Sequence, residues 1–169
     1  MLPFLDGIRI IDLTAVILGP YATQTLGDLG AEVIKVEPPE GESMRPVPPI
    51  AEGLSALVAN NNRNKHSLAL DLKAKAGKEV LQRLIPTADV FVHNMRQDAV
   101  DRLGFSYADV KALNDHIIYC AAVGFGSRGP YAGRPAYDDI IQSASGLAGL
   151  FGMRDGRPAI APSIIGDKI

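Results

Sequence analysis

The sequence predicts an α/β fold with a doubly wound, mainly parallel sheet made of Rossmann-like βαβ units. Two observations support this. Short β-branched runs alternate with segments of helical spacing along the whole chain, which is typical of parallel sheets covered by helices. The first 40 residues also contain one complete unit, with a strand over 8–13, a helix over 21–29 and a strand over 32–36. Such units form right-handed crossovers.

The breaks between elements follow glycine and proline. Gly19 and Pro20 are expected to precede the first helix, and Gly30 lies where a helix C-terminal glycine belongs. Further strands are predicted at 67–72, 89–93 and 117–123, and further helices at 75–84, 100–113 (one or two short pieces) and 137–150. The proline-rich segment 38–59 predicts a long lid or binding loop. Loops or turns are predicted at 124–135 and 152–156, before a terminal apolar run at 159–165.

Composition narrows the class of protein. A chain of 169 residues with 47% hydrophobic and 21% charged residues is typical of a soluble globular protein of one domain with at most an appendage. The net charge of −2 gives no general attraction to nucleic acid or to an anionic membrane. No signal peptide or transmembrane span is expected. Cys120 is the single cysteine, which favours a reducing compartment and hence the cytoplasm, and its apolar surroundings predict a buried position.

Several common kinds of site are disfavoured. The first βα turn lacks the glycine fingerprint of dinucleotide folds, so Glu37 is as well explained by a solvated strand end as by a ribose contact, and NAD is not expected. His66, His93 and His116 have no metal-ligand spacing, and no metal is predicted. The serines, Ser127 among them, lack the nucleophile elbow of hydrolases.

One group of basic residues and one group of acidic residues remain as candidates. Arg63, Lys65, His66, Lys73 and Arg102 each fit a solvated surface, and their clustering near strand ends favours a phosphate-binding rim as the alternative. Asp138 and Asp139 open a predicted helix, where capping explains them. Asp167 follows the apolar run and Gly166, and no helix follows it in the sequence. It is either an ordinary polar residue or a reactive group at a strand end of a larger enzyme.

Ordered blocks of residues resemble a known family. The blocks lie at 5–14, 19–20, 29–37, 62–73, 89–94, 102–105, 124–126, 137–142 and 145–146. Together they closely resemble the family III CoA-transferases, a group that includes formyl-CoA and carnitine CoA-transferases and the α-methylacyl-CoA racemases. The resemblance extends over essentially the whole chain.

The resemblance implies a role for Asp167 and a coenzyme A site. Asp167 matches the nucleophile, which would form an acyl-aspartyl anhydride and then an aspartyl-CoA thioester. Coenzyme A would be a substrate, with no tightly bound cofactor, and Lys73 and Arg102 would suit its phosphates. Pro38 and Pro39 stand where some members carry a basic residue. The resemblance assigns the coenzyme A contacts to Ala15, Val16, Ile17, Leu18, Leu70, Lys73, Asn94, Met95, Arg102 and Leu103.

Tyr137 bears on the reaction type. The racemases carry histidine at the position before the helix-opening aspartate, and Tyr137 matches the transferases instead. The expected activity moves coenzyme A from an acyl-CoA to a carboxylic acid acceptor. A racemase-like isomerase and a non-catalytic CoA-binding remnant remain alternatives. Residues 1–169 would form the N-terminal part of the large domain, without the small domain and C-terminal segment, of an interlocked homodimer.

Overall fold

A five-stranded parallel sheet forms the core of the first of two units in the computed structural model, which describes residues 3–168. This unit extends to Ala122, and the second begins at Val123. The strand order is β5-β2-β1-β6-β7, and every neighbouring pair is parallel. These strands are β1 (Arg9–Asp12), β2 (Glu32–Glu37), β5 (Lys65–Ala69), β6 (Val90–His93) and β7 (Ile118–Ala121), while β3 (Ile50–Ala51) and β4 (Leu54–Ser55) form a separate antiparallel pair.

Helices cover both faces of the sheet. The first unit contains α1 (Leu18–Asp28), α2 (Ala56–Asn61), α3 (Lys75–Leu84), α4 (Gln97–Leu103) and α5 (Tyr107–Leu113). Ile11 and Phe91 of the sheet belong to one apolar cluster with Leu81 of α3, Val100 of α4 and Val110 of α5. On the other face, Ile10, Val33 and Val92 form a smaller cluster against which Leu26 of α1 packs. The doubly wound α/β prediction is therefore confirmed.

The strand order defines a switch point. From β1 the chain proceeds to β2 and β5 on one side of the sheet, and then crosses to β6 and β7 on the other. In open α/β sheets, ligands bind beyond the carboxyl ends of the strands where the winding reverses direction. Here that position lies between the carboxyl ends of β1 and β6.

The first helix begins earlier than the sequence predicted. Gly19 and Pro20 lie within the first turn of α1 rather than before it, because the first-turn amide of a helix has no internal acceptor and proline therefore loses nothing there. Gly30 adopts φ +106° just beyond the helix, as predicted. Helices α3 and the pair α4 and α5 also match the predicted segments.

Cys120 is exposed, so the prediction of a buried thiol is wrong. Its strand, β7, is an edge strand of the sheet with β6 as its one neighbour. All the residues of β7 except Tyr119 are exposed in the described structure. An apolar, β-branched run predicts a strand, but its burial depends on what packs over the edge.

The second unit contains α6 (Asp138–Ala144) and α7 (Leu147–Asp155), which replace the single helix predicted over 137–150. Gly146 at φ +87° separates them, and α7 continues into the predicted turn at 152–156, ending at Asp155 with Gly156 as its C-cap. The terminal apolar run forms no strand within residues 159–168. Pro162 interrupts that run and has no amide hydrogen to donate to a neighbouring strand.

None of the helices described between residues 3 and 168 is long and apolar enough to cross a membrane. Within the same residues, no group of three or more His, Cys, Asp or Glu side chains is arranged to hold a metal ion.

Candidate active site

The turn between β1 and α1 is held by the side chain of Asn94, which follows β6. Its Oδ1 accepts a hydrogen bond from the amide of Ala15 at 2.9 Å, and its Nδ2 donates to the carbonyl of Ala15 at 2.7 Å. This contact joins residues 79 positions apart in sequence. It places Ala15 and Asn94, both predicted to contact coenzyme A, together at the switch point of the sheet.

Val16, the next residue, has a backbone conformation that is rare for its type. Its φ is +74°, in the left-handed region that β-branched residues seldom enter. Val16 is exposed, whereas Ile17 is buried and Leu18 begins α1. Strained backbone of this kind concentrates at functional sites.

A buried ion pair lies beneath the same turn. Asp12 and Lys65 have side chains 0% and 1% exposed, and Nζ of Lys65 lies 3.0 Å from Oδ2 of Asp12. Asp12 also accepts hydrogen bonds from the amide of Thr14 at 2.8 Å and from the hydroxyl of Thr23 in α1 at 2.6 Å. Burial lowers the pKa of Lys65 despite the adjacent carboxylate. Lys65 is therefore a structural cation, and the prediction that it belongs to an exposed phosphate-binding rim is wrong.

The loop that follows β2 is fixed by two further ion pairs. Lys35 lies 2.9 Å from Glu42, with both side chains almost fully buried, and Arg45 pairs with Glu37. The Arg45 hydrogen bond lowers the pKa of Glu37, although burial of that carboxyl opposes it. Glu37 is buried, so the alternative of a solvated strand end is wrong. Its carboxylate is engaged by Arg45 and by the amide of Glu42.

The other residues assigned to coenzyme A occupy three places in the first unit. Leu70 and Lys73 follow β5, Met95 follows β6, and Arg102 and Leu103 lie in the last turn of α4. The apolar members pack against the larger core cluster. Lys73 is exposed, and Arg102 pairs with Asp98 at 2.8 Å on the surface. The residues that follow β1, β5 and β6 share the carboxyl edge of the sheet, because these strands are parallel.

Asp167 lies in a short turn of the second unit. Its side chain is half-buried, and burial raises the pKa of its carboxyl, with a smaller contribution from the nearby charge of Asp138. The amide of Gly166 donates a 2.6 Å hydrogen bond to Oδ1 of Asp138. This bond holds the turn against the first residue of α6, which is the residue after Tyr137. Tyr137 itself is 66% exposed.

Gln142 holds the segment that leads to Asp167. Its Nε2 donates to the other oxygen of Asp138 at 2.6 Å and to the carbonyl of Ser163 at 3.0 Å, while its Oε1 accepts from the amide of Ala161 at 2.8 Å. No sequence pattern predicted a role for Gln142, and Asp138 was predicted only as a helix cap. The spacing of four residues on one helix face was the one local signal that linked them.

Comparisons with known proteins identify the family of the chain. Residues 5–169 match the CoA-transferase family III. The chain is 42% identical to succinate–glutarate CoA-transferase from Agrobacterium fabrum over 98% of its own length and 43% of that protein. It is 41% identical to acetyl-CoA:oxalate CoA-transferase from Acetobacter aceti, over 92% of this chain and 40% of that protein.

A crystal structure of a CAIB/BAIF family protein from Brucella suis superimposes with a TM-score of 0.89 at 39% identity, covering 96% of this chain and 44% of that one. The chain thus spans less than half the length of these relatives. The family match over nearly every residue, together with these relatives, settles its membership: this chain belongs to CoA-transferase family III.

Proposed function

We propose that the protein transfers coenzyme A from an acyl-CoA thioester to an acceptor carboxylic acid, with Asp167 as the nucleophile. The observation that carries this proposal is the half-buried Asp167, which follows Gly166 in a turn fixed by Asp138. Partial burial raises the pKa of the Asp167 carboxyl. Partial removal of water makes a carboxylate a better nucleophile than a fully hydrated one.

The reaction proceeds by covalent exchange. The Asp167 carboxylate attacks the thioester carbonyl, a C–O bond forms as the C–S bond breaks, and an acyl-aspartyl anhydride and CoA thiolate result. The thiolate then attacks the aspartyl carbonyl, which releases the donor acid and leaves an aspartyl-CoA thioester. The acceptor carboxylate repeats the two steps in reverse order, and Asp167 is regenerated. Each step exchanges one activated acyl group for another, so one difficult transfer is divided into easier ones.

Coenzyme A binds in this proposal as a substrate, with no tightly held cofactor. Residues 15–18 would supply backbone contacts at the switch point of the sheet. Lys73 and Arg102, both exposed cations, would bind its phosphates through charge-assisted hydrogen bonds. Leu70, Asn94, Met95 and Leu103 complete the set of residues that the family resemblance assigns to the coenzyme.

The wider proposals follow from family membership. The chain would be the N-terminal part of the large CoA-binding domain of a cytoplasmic, interlocked homodimer. Tyr137 stands where the racemases have histidine, so it supports transfer over isomerisation. The racemase-like reaction and the non-catalytic remnant are the alternatives that an assay must exclude.

The test is a screen of acyl-CoA donors against dicarboxylic acids with the natural full-length form of the protein. Asp167→Ala should abolish transfer, while Asp155→Ala, which alters an exposed carboxylate paired with Arg154, should leave it intact. Mass spectrometry after incubation with an acyl-CoA should find coenzyme A attached to Asp167. An active Asp167→Ala variant would refute the assignment. Exchange of the α-proton of a branched acyl-CoA without transfer would establish the isomerase instead.

A further inference from the structure

The backbone of the β1–α1 turn is held by side chains that lie in β1, in β2 and directly after β6. The amide of Thr14 donates to Asp12, and its carbonyl accepts from Nζ of Lys35 at 2.5 Å. Asn94 engages both polar groups of the next residue, Ala15. Four consecutive backbone groups therefore have side-chain partners, and the geometry of the turn is set by residues outside it.

The turn needs this support because of Val16. At φ +74° its backbone is strained, and such a conformation persists only where the surroundings enforce it. The side chain of Val16 is exposed, so packing around that side chain does not enforce the conformation. The peptide immediately before it is the one that Asn94 fixes.

We propose that Asn94 and Lys35 are positioning residues, which act on coenzyme A by holding the backbone of residues 14–16 in the strained conformation. This inference rests on the proposed coenzyme A site at residues 15–18. It changes the role of Asn94, whose amide oxygen and one of whose amide hydrogens are already engaged by Ala15. It also gives Lys35, which the family resemblance does not assign, a part in binding.

The decisive experiment is a double-mutant cycle between Asn94→Ala and Val16→Gly, in the natural full-length protein. The dissociation constant for coenzyme A is measured by calorimetry. Asn94→Ala should weaken binding about tenfold. Without Asn94 the free turn is no longer held in the strained conformation of Val16, so coenzyme A binding must itself impose that conformation. Glycine adopts positive φ without strain, so the same substitution in the Val16→Gly background should weaken binding by no more than about twofold.

Asn114 provides a matched control. Its side chain donates to the carbonyls of Ile85 and Ala88 and accepts from the amide of His116, before β7 and at the opposite edge of the sheet. Asn114→Ala and Asn94→Ala should lower the melting temperature to a similar degree. Only the substitution at Asn94 should change the affinity for coenzyme A.

Lys35 requires a paired substitution, because Lys35→Met alone leaves Glu42 buried without its cation. The double variant Lys35→Met with Glu42→Leu removes the bond to Thr14 without leaving a buried charge, and it should fold and bind coenzyme A several-fold more weakly.

Additive effects in the cycle would show that Asn94 acts independently of Val16 and would overturn the inference. Unchanged affinity in the paired Lys35 variant would overturn the role of Lys35. An unmodified protein that does not bind coenzyme A would overturn the proposed site, and with it this inference.

Discussion

Replacing Lys65 with methionine should destabilise the fold more than almost any other single substitution in the first unit. The ammonium lies 2.8–3.0 Å from four acceptors, in Asp12, Pro20, Thr23 and Asn62, and shares three protons among them. Removing it leaves the Asp12 carboxylate, 0% exposed, without a cation. Breaking a buried ion pair from one side costs about 3–5 kcal/mol of unfolding free energy.

Removing both charges of the pair should cost much less unfolding free energy than removing either charge alone. Burial lowers the pKa of Lys65 even though Asp12 raises it, which means that the attraction does not offset the full desolvation cost. Lys65→Met combined with Asp12→Asn removes both charges, and an amide at position 12 can still accept from Thr14 and donate to Thr23. The double variant should therefore lie within about 1–2 kcal/mol of the unmodified protein.

Urea denaturation followed by circular dichroism gives the unfolding free energy of both variants, and thermal denaturation gives their melting temperatures. For a domain of this size the single substitution should lower the melting temperature by about 6–20 °C. A loss of less than about 1 kcal/mol in Lys65→Met would refute the reasoning, since an exposed pair would behave that way. So would a double variant whose loss equals the sum of the two single losses, because the two residues would then be independent.

Three further predictions follow. Asp167→Asn should abolish transfer and raise the melting temperature at neutral pH, because the raised pKa of this carboxyl means that its ionised form destabilises the fold above its ordinary value of 3.8. Gly19→Ala should weaken both folding and coenzyme A binding, because an added Cβ would lie 2.3 Å from Cβ of Thr14. Glu37→Gln should reduce the loss of stability on acidification. Arg45 lowers the pKa of Glu37 from its ordinary value of 4.5, so this contribution is present above that value and lost as pH falls through the lower folded one.

Each of these three predictions has a measurable outcome that would contradict it. An unchanged or lower melting temperature for Asp167→Asn at pH 7 would contradict the first. For Gly19, the comparison is Gly149→Ala in α7, where an added Cβ meets nothing within 4 Å; equal losses would contradict the steric argument. The unfolding free energies of Glu37→Gln and of the unmodified protein are compared by urea titration at several pH values below neutrality. Equal losses of unfolding free energy as the pH falls would contradict the third.

Local sequence was sufficient to predict most of the regular structure. The alternation of β-branched runs and helical spacing gave the five sheet strands and the three helices that follow β5 and β6, with boundaries shifted by a few residues. Helix α3 was predicted at its observed limits. These patterns depend on periodicity within a single segment, which does not require knowledge of its neighbours.

Burial of the individual residues was harder to predict. Cys120 lies in an apolar strand and is exposed, because β7 is an edge strand. Lys65 lies in a basic segment and is buried, because Asp12, Thr23 and Asn62 surround its ammonium. In both cases the outcome depends on which elements pack together and not on the residue's own segment.

The sequence by itself determined the fold class, the family and the candidate nucleophile. Ordered blocks of residues over nearly the whole chain carry that information, and Asp167 stands out by its place after Gly166. Tertiary structure alone decided how the candidate coenzyme A turn is held. Asn94 reaches Ala15 across 79 residues and Lys35 reaches Thr14 across 21. Parallel strands bring such distant residues to one edge of a sheet. The sequence pattern within one segment does not predict which backbone carbonyl a buried side chain will bind there.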